Sequence, residues 1–270
     1  MTKKDLLNLS VDAAQHYEHQ TVPTVMRSHT EALLQQIALH SGERILDLAC
    51  GTGLVTRLLV TKFPTVASVT GVDINPAMLA LARRLMPATS IPITWQESDA
   101  CTLPFPPASF EVVVCQQGLQ FIPDKLAALQ EMKRVLVPGG RLALTVWSAP
   151  HRNTAAIAEL LRRHVHEVAA TQALLPFAWH DAEVLRQCVE EAGFHEIRLT
   201  VLTSNTRLSA SPEAILAFID QVASRSDFRT EIEAVRSVLA QEVTEALHVY
   251  REEEAFVMPS TAHLVQARAA

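Results

Sequence analysis

The stretch from Glu43 to Thr56 constrains this chain more than any other. Ile45-Leu46-Asp47-Leu48-Ala49 is apolar except for one acid. It passes through Cys50 into Gly51-Thr52-Gly53, after which Leu54-Val55-Thr56 opens a helical pattern. That order reads as a buried parallel strand, a glycine turn and a helix start. Glycine lacks the Cβ that would hold a ligand away, so such a turn brings backbone N–H groups close to whatever binds there. The acid decides what that is. The pyrophosphate of a dinucleotide would be repelled by Asp47, and Thr56 stands where the dinucleotide fingerprint needs its third glycine. Asp47 favours a cationic ligand, or one offering hydroxyl and ammonium donors. A second acid, Asp73, closes the next apolar strand (Ala67-Ser68-Val69-Thr70-Gly71-Val72-Asp73), where it can accept both hydroxyls of a ribose.

Asp47-Leu48-Ala49-Cys50-Gly51-Thr52-Gly53, with Gly71-Val72-Asp73-Ile74-Asn75-Pro76-Ala77-Met78, resembles the class I S-adenosylmethionine-dependent methyltransferases. The likeness is greatest to their small-molecule branch, which includes the ubiquinone and menaquinone methyltransferases. Glu97-Ser98-Asp99-Ala100-Cys101-Thr102-Leu103-Pro104-Phe105 and Arg134-Val135-Leu136-Val137-Pro138-Gly139-Gly140-Arg141-Leu142 strengthen it, giving four motifs in the family's order across residues 43–147.

The resemblance implies S-adenosyl-L-methionine as cofactor and assigns roles residue by residue. Asp47 holds the methionine end through backbone or water, or else caps the glycine turn. Ala49, Gly51, Thr52 and Gly53 let the cofactor approach, and Asp73 clamps the ribose. Ile74 and Met78 sandwich the adenine, although Met78 also reads as helix core. Asp99 reads the adenine amino group and the Ala100 N–H a ring nitrogen. Gln116, by side chain or backbone, lies near the methionine part, while Gln117 and Phe121 face both cofactor and acceptor. His16 and Tyr17 close over the cofactor from an N-terminal helix.

The acceptor is read partly by exclusion. Methyltransferases acting on base or glutamine amino groups carry an Asn/Asp-Pro-Pro-aromatic turn after the fourth strand, whereas this chain has Cys115-Gln116-Gln117-Gly118. The expectation is methyl transfer to oxygen or carbon of a small, rather apolar molecule. Trp147, Phe121, Phe177, Trp179 and Phe218 are candidates for its wall, or for core. A base is needed only for a hydroxyl or an acidic carbon, and His151, just after the fifth strand, is the candidate. His164 and His166 are two apart on a helix and face different sides, so no metal pair is expected. Cys50, Cys101 and Cys115 all fall near strand ends, which leaves arsenite methylation as a minor alternative. A cofactor-binding module without transfer is a second alternative, and a nicotinamide oxidoreductase a third.

Composition agrees with an enzyme of small molecules. The chain has 270 residues, 49% hydrophobic, and a net charge of −6, which argues against a nucleic-acid backbone as main partner. The adjacent basic pairs Lys3-Lys4, Arg83-Arg84, Lys133-Arg134 and Arg162-Arg163 read as solvated helix faces. The four cysteines show no disulfide or zinc spacing. No apolar run approaches the ~20 residues that span a bilayer, and Met1 to Leu7 carries no long apolar region. The expectation is a reduced, cytoplasmic protein without a stable membrane anchor, and a possible homodimer through an apolar cap face.

Strands at 44–49, 66–73, 91–96, 110–115 and 141–147 alternate with helices at 53–62, 76–85 and 124–136. That alternation predicts a Rossmann-like, doubly wound α/β sheet, mostly parallel and seven-stranded, with its ligand at the carboxyl ends of the strands. Two further strands, at 195–204 and 254–267, supply the antiparallel end that the resemblance requires. Helices are expected at 4–20 and 24–40, separated by Pro23, and at 153–170 and 181–192. Gly193 is the expected C′ residue of the last. The glycine-free stretch 211–250, with Ile215, Phe218, Ile219 and Val222 at helical spacing, reads as an inserted helical cap. The organisation is then an N-terminal helical segment, 1–40, a core of 41–205 with 251–270, and a cap of 206–250.

Overall fold

A computed structural model describes residues 10–224 and 226–270. In chain order the elements are α1 (Val11–His16), a π-helical segment (Tyr17–Met26), α2 (Arg27–Gln36), β1 (Arg44–Leu48), α3 (Leu54–Lys62), β2 (Ser68–Asp73) and α4 (Pro76–Leu85). There follow β3 (Ile93–Glu97), β4 (Phe110–Gln116), α5 (Lys125–Val135), β5 (Leu136–Trp147), α6 (Arg152–His164), α7 (Glu167–Leu174) and α8 (Ala182–Glu191). The chain ends with β6 (Phe194–Ser209), α9 (Pro212–Ala223), α10 (Arg229–Ala234), α11 (Arg236–Ala246), β7 (Arg251–Glu252) and β8 (Ala255–Ala269). They fall into two compact units. Unit 1 takes the chain up to Ser148, Trp179–Leu202 and Ala262–Ala270; unit 2 takes Ala149–Ala178 and Thr203–Thr261.

The strand order is β3-β2-β1-β4-β5-β8-β6, with the two-residue β7 beside β8 as an eighth strand. β3, β2, β1, β4 and β5 are parallel, and β8 runs antiparallel to β5, from Arg141 opposite Arg268 to Trp147 opposite Ala262. This is the Rossmann-like, doubly wound sheet read from the strand–helix alternation.

Both faces of the sheet are buried, and the period of two along each strand decides which side chain meets which layer. Leu46 and Leu48 of β1, with Val113 and Cys115 of β4, join Leu129 and Met132 of α5 and Leu185 and Val189 of α8. Ile45, Val112 and Val114 point the other way, to Leu33 and Leu34 of α2 and Val55 and Leu59 of α3. The same alternation aims Asp47 and Gln116 at the α2–α3 layer.

Helix starts follow their capping residues. Asn75 accepts from Ala77 N (2.9 Å) and Met78 N (3.1 Å) ahead of Pro76, Asp124 from Ala127 N (3.0 Å), and Asp181 from Glu183 N (2.8 Å). Gly193 follows α8 at φ +87°.

Pro23 does not separate two helices. Helical backbone is continuous from Val11 to Gln36, with Pro23 inside the π-helical turn. The wider π backbone draws the carbonyl of residue i−4 away from the pyrrolidine ring, so the ring is carried without a break. The part of the expected 4–20 helix before Ser10, and Lys3-Lys4, lie outside the described residues. The helix expected over 153–170 is two. Val165 N and His166 N both donate to Leu161 O (2.9 Å each), ending α6, and His166 Nδ1 accepts from Val168 N at 3.1 Å to start α7.

Unit 2 is wider than a cap of 206–250. Ile157, Leu160 and Leu161 of α6 and Ala169 and Ala170 of α7 share one apolar cluster with Ile215, Ile219, Leu239 and Val243. Helices drawn into the core by sequence therefore pack with the glycine-free stretch.

Trp95 of β3 dictates glycine at two places. A Cβ at Gly71 would lie 2.4 Å from Trp95 Cε3 and Cζ3, and one at Gly53 would lie 2.7 Å from Trp95 Cη2. Gly71→Ala should lower unfolding free energy by ~1–3 kcal/mol in urea denaturation, and Trp95→Leu in the same chain should restore part of it. Equal stability of Gly71→Ala and the natural chain would show that the indole is free to move.

Candidate functional site

The loop after β1 is held by backbone geometry. Ala49, Gly51 and Gly53 sit at φ +56°, +54° and +77°, Cys50 N donates to Val72 O (2.9 Å), and Gly53 N donates to Cys50 O (2.9 Å). Ala49 is a non-glycine residue in the left-handed region, a strain that neighbouring contacts must hold in place. The two glycines differ in role. A Cβ at Gly51 meets nothing within 4 Å, so this residue opens onto free space, whereas Gly53 is small because of Trp95.

Asp73, at the end of β2, braces that loop. Its Oδ2 accepts from Gly51 N at 2.8 Å and its Oδ1 from Asn75 N at 2.9 Å. Burial pushes its carboxyl up from the ordinary range, opposed by the Asn75, Gly51 and Ile74 amides. Each oxygen still has lone-pair capacity for a further donor. Thr52, beside it, is buried, and its Oγ1 has no partner among the described residues.

Asp47 is 1% exposed, and both of its visible donors, Thr56 Oγ1 (2.7 Å) and Thr56 N (3.1 Å), reach Oδ2. Both bonds tie Asp47 to the first turn of α3, whereas the Gly51 N–H goes to Asp73 and the Gly53 N–H to Cys50 O. Burial pushes the Asp47 carboxyl up to about 7, the Thr56 bonds hold it down, and the Asp73 charge raises it further.

At the end of β4 the two glutamines take different partners. Gln116 sends its side chain to the N-terminal helix, with Oε1 2.7 Å from Thr30 Oγ1 and Nε2 donating to Met26 O at 3.4 Å. The Thr30 hydroxyl also lies 2.8 Å from Met26 O and donates to one of the two at a time. Gln117, at φ +53°, donates its N–H to Thr145 O at 3.0 Å and accepts on Oε1 from Gln120 Nε2 at 3.0 Å. Gln120 was not singled out by sequence, since a glutamine in a loop carries no pattern of its own.

Of the adenine candidates, Ile74 is half-buried. Met78 is 6% exposed and packs with Ala14, Leu81, Tyr17 and Ala77, as core. Tyr17 packs on the small cluster of Ala14, Met78 and Leu81, and His16 ends α1 half-buried. Asp99 accepts from Cys101 N on Oδ1 at 2.9 Å, closing its own loop, and Ala100 packs at the edge of the core.

The aromatic candidates divide. Trp147 is buried edge-on to His29 at 4.9 Å, and burial brings the His29 ring down to about 4. Trp179 packs on the unit 1 core beneath the Lys125 ammonium at 4.5 Å. Phe177 and Phe218 belong to unit 2, one buried and one packed on its core. Phe121 alone among the five is exposed, at 46%.

His151 lies in unit 2, 7% exposed, at the head of α6, with its ring edge-on to Phe177 at 5.0 Å. It is not the surface-loop histidine that was its alternative. His164 pairs with Glu242 at 2.9 Å, and His166 stacks on Phe228 at 5.2 Å. Among the described residues no three His, Cys, Asp or Glu side chains gather as an ion-binding set, so Cys50, Cys101 and Cys115 do not form one. Burial raises the Cys50 thiol and pushes Cys115 up to about 12, leaving both protonated. Among the described residues no helix is long and apolar enough to cross a membrane.

An Asp47 carboxyl that keeps its proton up to about pH 7 in the fold, against an ordinary 3.8, favours the folded state below that ordinary value. This contribution is lost as pH rises to about 7. Asp47→Asn should therefore gain on the natural chain by ~2–4 kcal/mol between about pH 4 and 8, read from urea denaturation. Parallel pH curves would show that Asp47 is already ionised in the fold.

Residues 45–140 match the family described as "Methyltransferase domain". The 2-phytyl-1,4-naphtoquinone methyltransferase of Thermosynechococcus vestitus is 34% identical over 176 residues, 60% of this chain and 76% of that one. The demethylmenaquinone methyltransferase of Deinococcus radiodurans is 40% identical over 126 residues, 47% of this chain and 52% of that one. The chain spans about half the length of two demethylmenaquinone methyltransferases that it matches. Among solved structures, phosphoethanolamine N-methyltransferase 2 of Haemonchus contortus with S-adenosyl-L-methionine is similar in fold. Its TM-score is 0.64 at 18% identity, covering 100% of this chain and 60% of that one.

Proposed function

Because this chain belongs to the class I S-adenosylmethionine-dependent methyltransferase family, we propose that it moves a methyl group from S-adenosylmethionine to carbon or oxygen of a small, rather apolar acceptor. The observation that carries this is the pairing of Asp73 with Gly51. A carboxylate braced by two backbone amides, with lone pairs to spare, stands beside a glycine that opens onto free space. The buried, unpartnered Thr52 Oγ1 and Gln117 Nε2 fit a ligand that brings hydrogen-bonding groups. The names of the relatives, for demethylmenaquinone and 2-phytyl-1,4-naphthoquinone, support a quinone-type ring as acceptor.

In this reading Asp73 takes the ribose hydroxyls, and Ala49, Gly51, Thr52 and Gln117 border the amino-acid end. Asp47 acts through Thr56 on the helix that follows. Ile74, Asp99 and Ala100 border the adenine, with Met78 and Tyr17 packed behind. The bound sulfonium supplies an electrophilic methyl. The chain's part is to align the acceptor atom and exclude water, an effect worth up to ~7–11 kcal/mol from positioning alone. His151 is assigned the acceptor's proton, where one must leave. The setting is the reduced cytoplasm, without nucleic acid or a stable membrane anchor, and with pairing of two chains through an apolar face of the cap, where Val238 and Val249 are exposed.

Calorimetric titration with S-adenosylmethionine, S-adenosylhomocysteine and NAD tests the reading. The first two should bind in the micromolar range and NAD not at all; the reverse order would overturn it. Asp73→Ala should weaken S-adenosylhomocysteine binding by ~1–3 kcal/mol, from lost charge-assisted bonds, and unchanged affinity would remove Asp73 from the site. His151→Ala should lower turnover while keeping cofactor affinity. Natural turnover in that variant would end its assignment as base.

A further inference from the structure

Arg57 is a cation in the first turn of α3, where the helix dipole favours anions. Helix stability does not explain that placement; its contacts do. Nη1 donates to Thr52 O at 2.8 Å and Nη2 to Glu18 Oε1 at 2.7 Å, with the two side chains 11% and 14% exposed. Water competes little at that depth, so the guanidinium holds the Thr52 carbonyl in one direction.

What it holds is part of the loop after β1. The Cys50–Gly51 peptide is fixed at both ends, with Gly51 N–H on Asp73 Oδ2 at 2.8 Å and Gly53 N–H on Cys50 O at 2.9 Å. The Thr52–Gly53 peptide is fixed at both ends too, through that same Gly53 N–H and through Arg57 on its carbonyl. Between them lies the Gly51–Thr52 peptide, which cannot flip while its neighbours are held. Its N–H, that of Thr52, has no acceptor among the described residues. It adjoins Gly51, half-buried, where an added Cβ would meet nothing within 4 Å.

Resting on the methyltransferase reading above, we propose that Arg57 is a positioning residue for the cofactor's amino-acid end. By fixing Thr52 O it aims the Thr52 N–H at the space beside Gly51, where a carboxylate can accept it. Glu18 offsets the guanidinium charge, so Arg57 acts through the turn and not by touching the ligand.

The test is calorimetry on the full chain with two ligands, S-adenosylhomocysteine and 5′-methylthioadenosine, the second of which keeps adenosine and sulfur but lacks the amino-acid end. The variant is Arg57→Met combined with Glu18→Gln, so that no buried charge is stranded. Its affinity for S-adenosylhomocysteine should fall about 10-fold while that for 5′-methylthioadenosine is kept. An equal fall for both ligands overturns the proposal, since a merely structural role moves both, and so does a variant that binds both as the natural chain does. Should the variant bind neither, it has misfolded, and the amide spectrum of the natural chain decides. There the Thr52 N–H resonance should shift with S-adenosylhomocysteine and not with 5′-methylthioadenosine; a resonance that responds to both alike, or to neither, overturns the proposal. A natural chain that binds no S-adenosylhomocysteine overturns the methyltransferase reading itself.

Discussion

The bond from Gly51 N–H to Asp73 Oδ2, 2.8 Å long, is the contact on which the rest of the site depends. It joins the loop after β1 to the end of β2, two strands already paired from Arg44–Ser68 to Leu48–Val72. Because it uses one lone pair of one oxygen, the carboxylate is fixed in place without being saturated. Its second oxygen is held by Asn75 N, and Asn75 in turn caps α4. One side chain therefore sets the loop, the start of the next helix and a half-open acceptor surface. Left-handed backbone at Ala49, Gly51 and Gly53 is tolerated because these bonds over-determine it.

The second acid works differently, and the difference comes from the pleat. Asp47 lies one residue from Leu46 and Leu48 and so points to the opposite layer, where α3 begins. There it meets only Thr56 among its visible donors, in a dry environment that favours its neutral form. A protonated, neutral Asp47 limits repulsion with Asp73. Two carboxylates can then flank one turn without forcing it open.

Much of this was legible in the chain. The strand–helix alternation, the acids at strand ends and the C′ residue Gly193 all carry local signals, and the structure has each of them. What was not legible depends on partners distant in sequence. Trp95 makes Gly53 and Gly71 obligatory from another strand, so a reading confined to the turn credits Gly53 to a ligand. Gln116 follows the period of its strand toward Thr30, 86 residues away, and only the assembled layer reveals that partner. Pro23 punctuates a helix by rule, yet a π turn carries it, which local propensity does not distinguish from a break. The helices of residues 149–178 joined unit 2 for the same kind of reason, because their apolar faces match partners that follow β6.

The N-terminal segment shows how such distant partners bear on function. Glu18, in the π-helical turn, pairs with Arg57 of α3 at 2.7 Å, and Arg57 also donates to Thr52 O at 2.8 Å. The two side chains are 14% and 11% exposed, so this pair is screened little by salt, and loss of either partner strands the other charge, at a cost of ~3–5 kcal/mol. The chain Glu18–Arg57–Thr52 runs from the N-terminal helix into the turn that Gly51 opens. Tyr17, one residue before Glu18, packs on the cluster that Ala14 forms with Met78 and Leu81 of α4. Placement of the N-terminal helix and placement of the turn are therefore one mechanical problem. The widened π turn around Pro23 puts Glu18 and Tyr17 on one side of it and Met26, which receives Gln116, at its end. Arg57 therefore joins the N-terminal helix to the backbone of the turn that Gly51 opens, through one ion pair and one hydrogen bond.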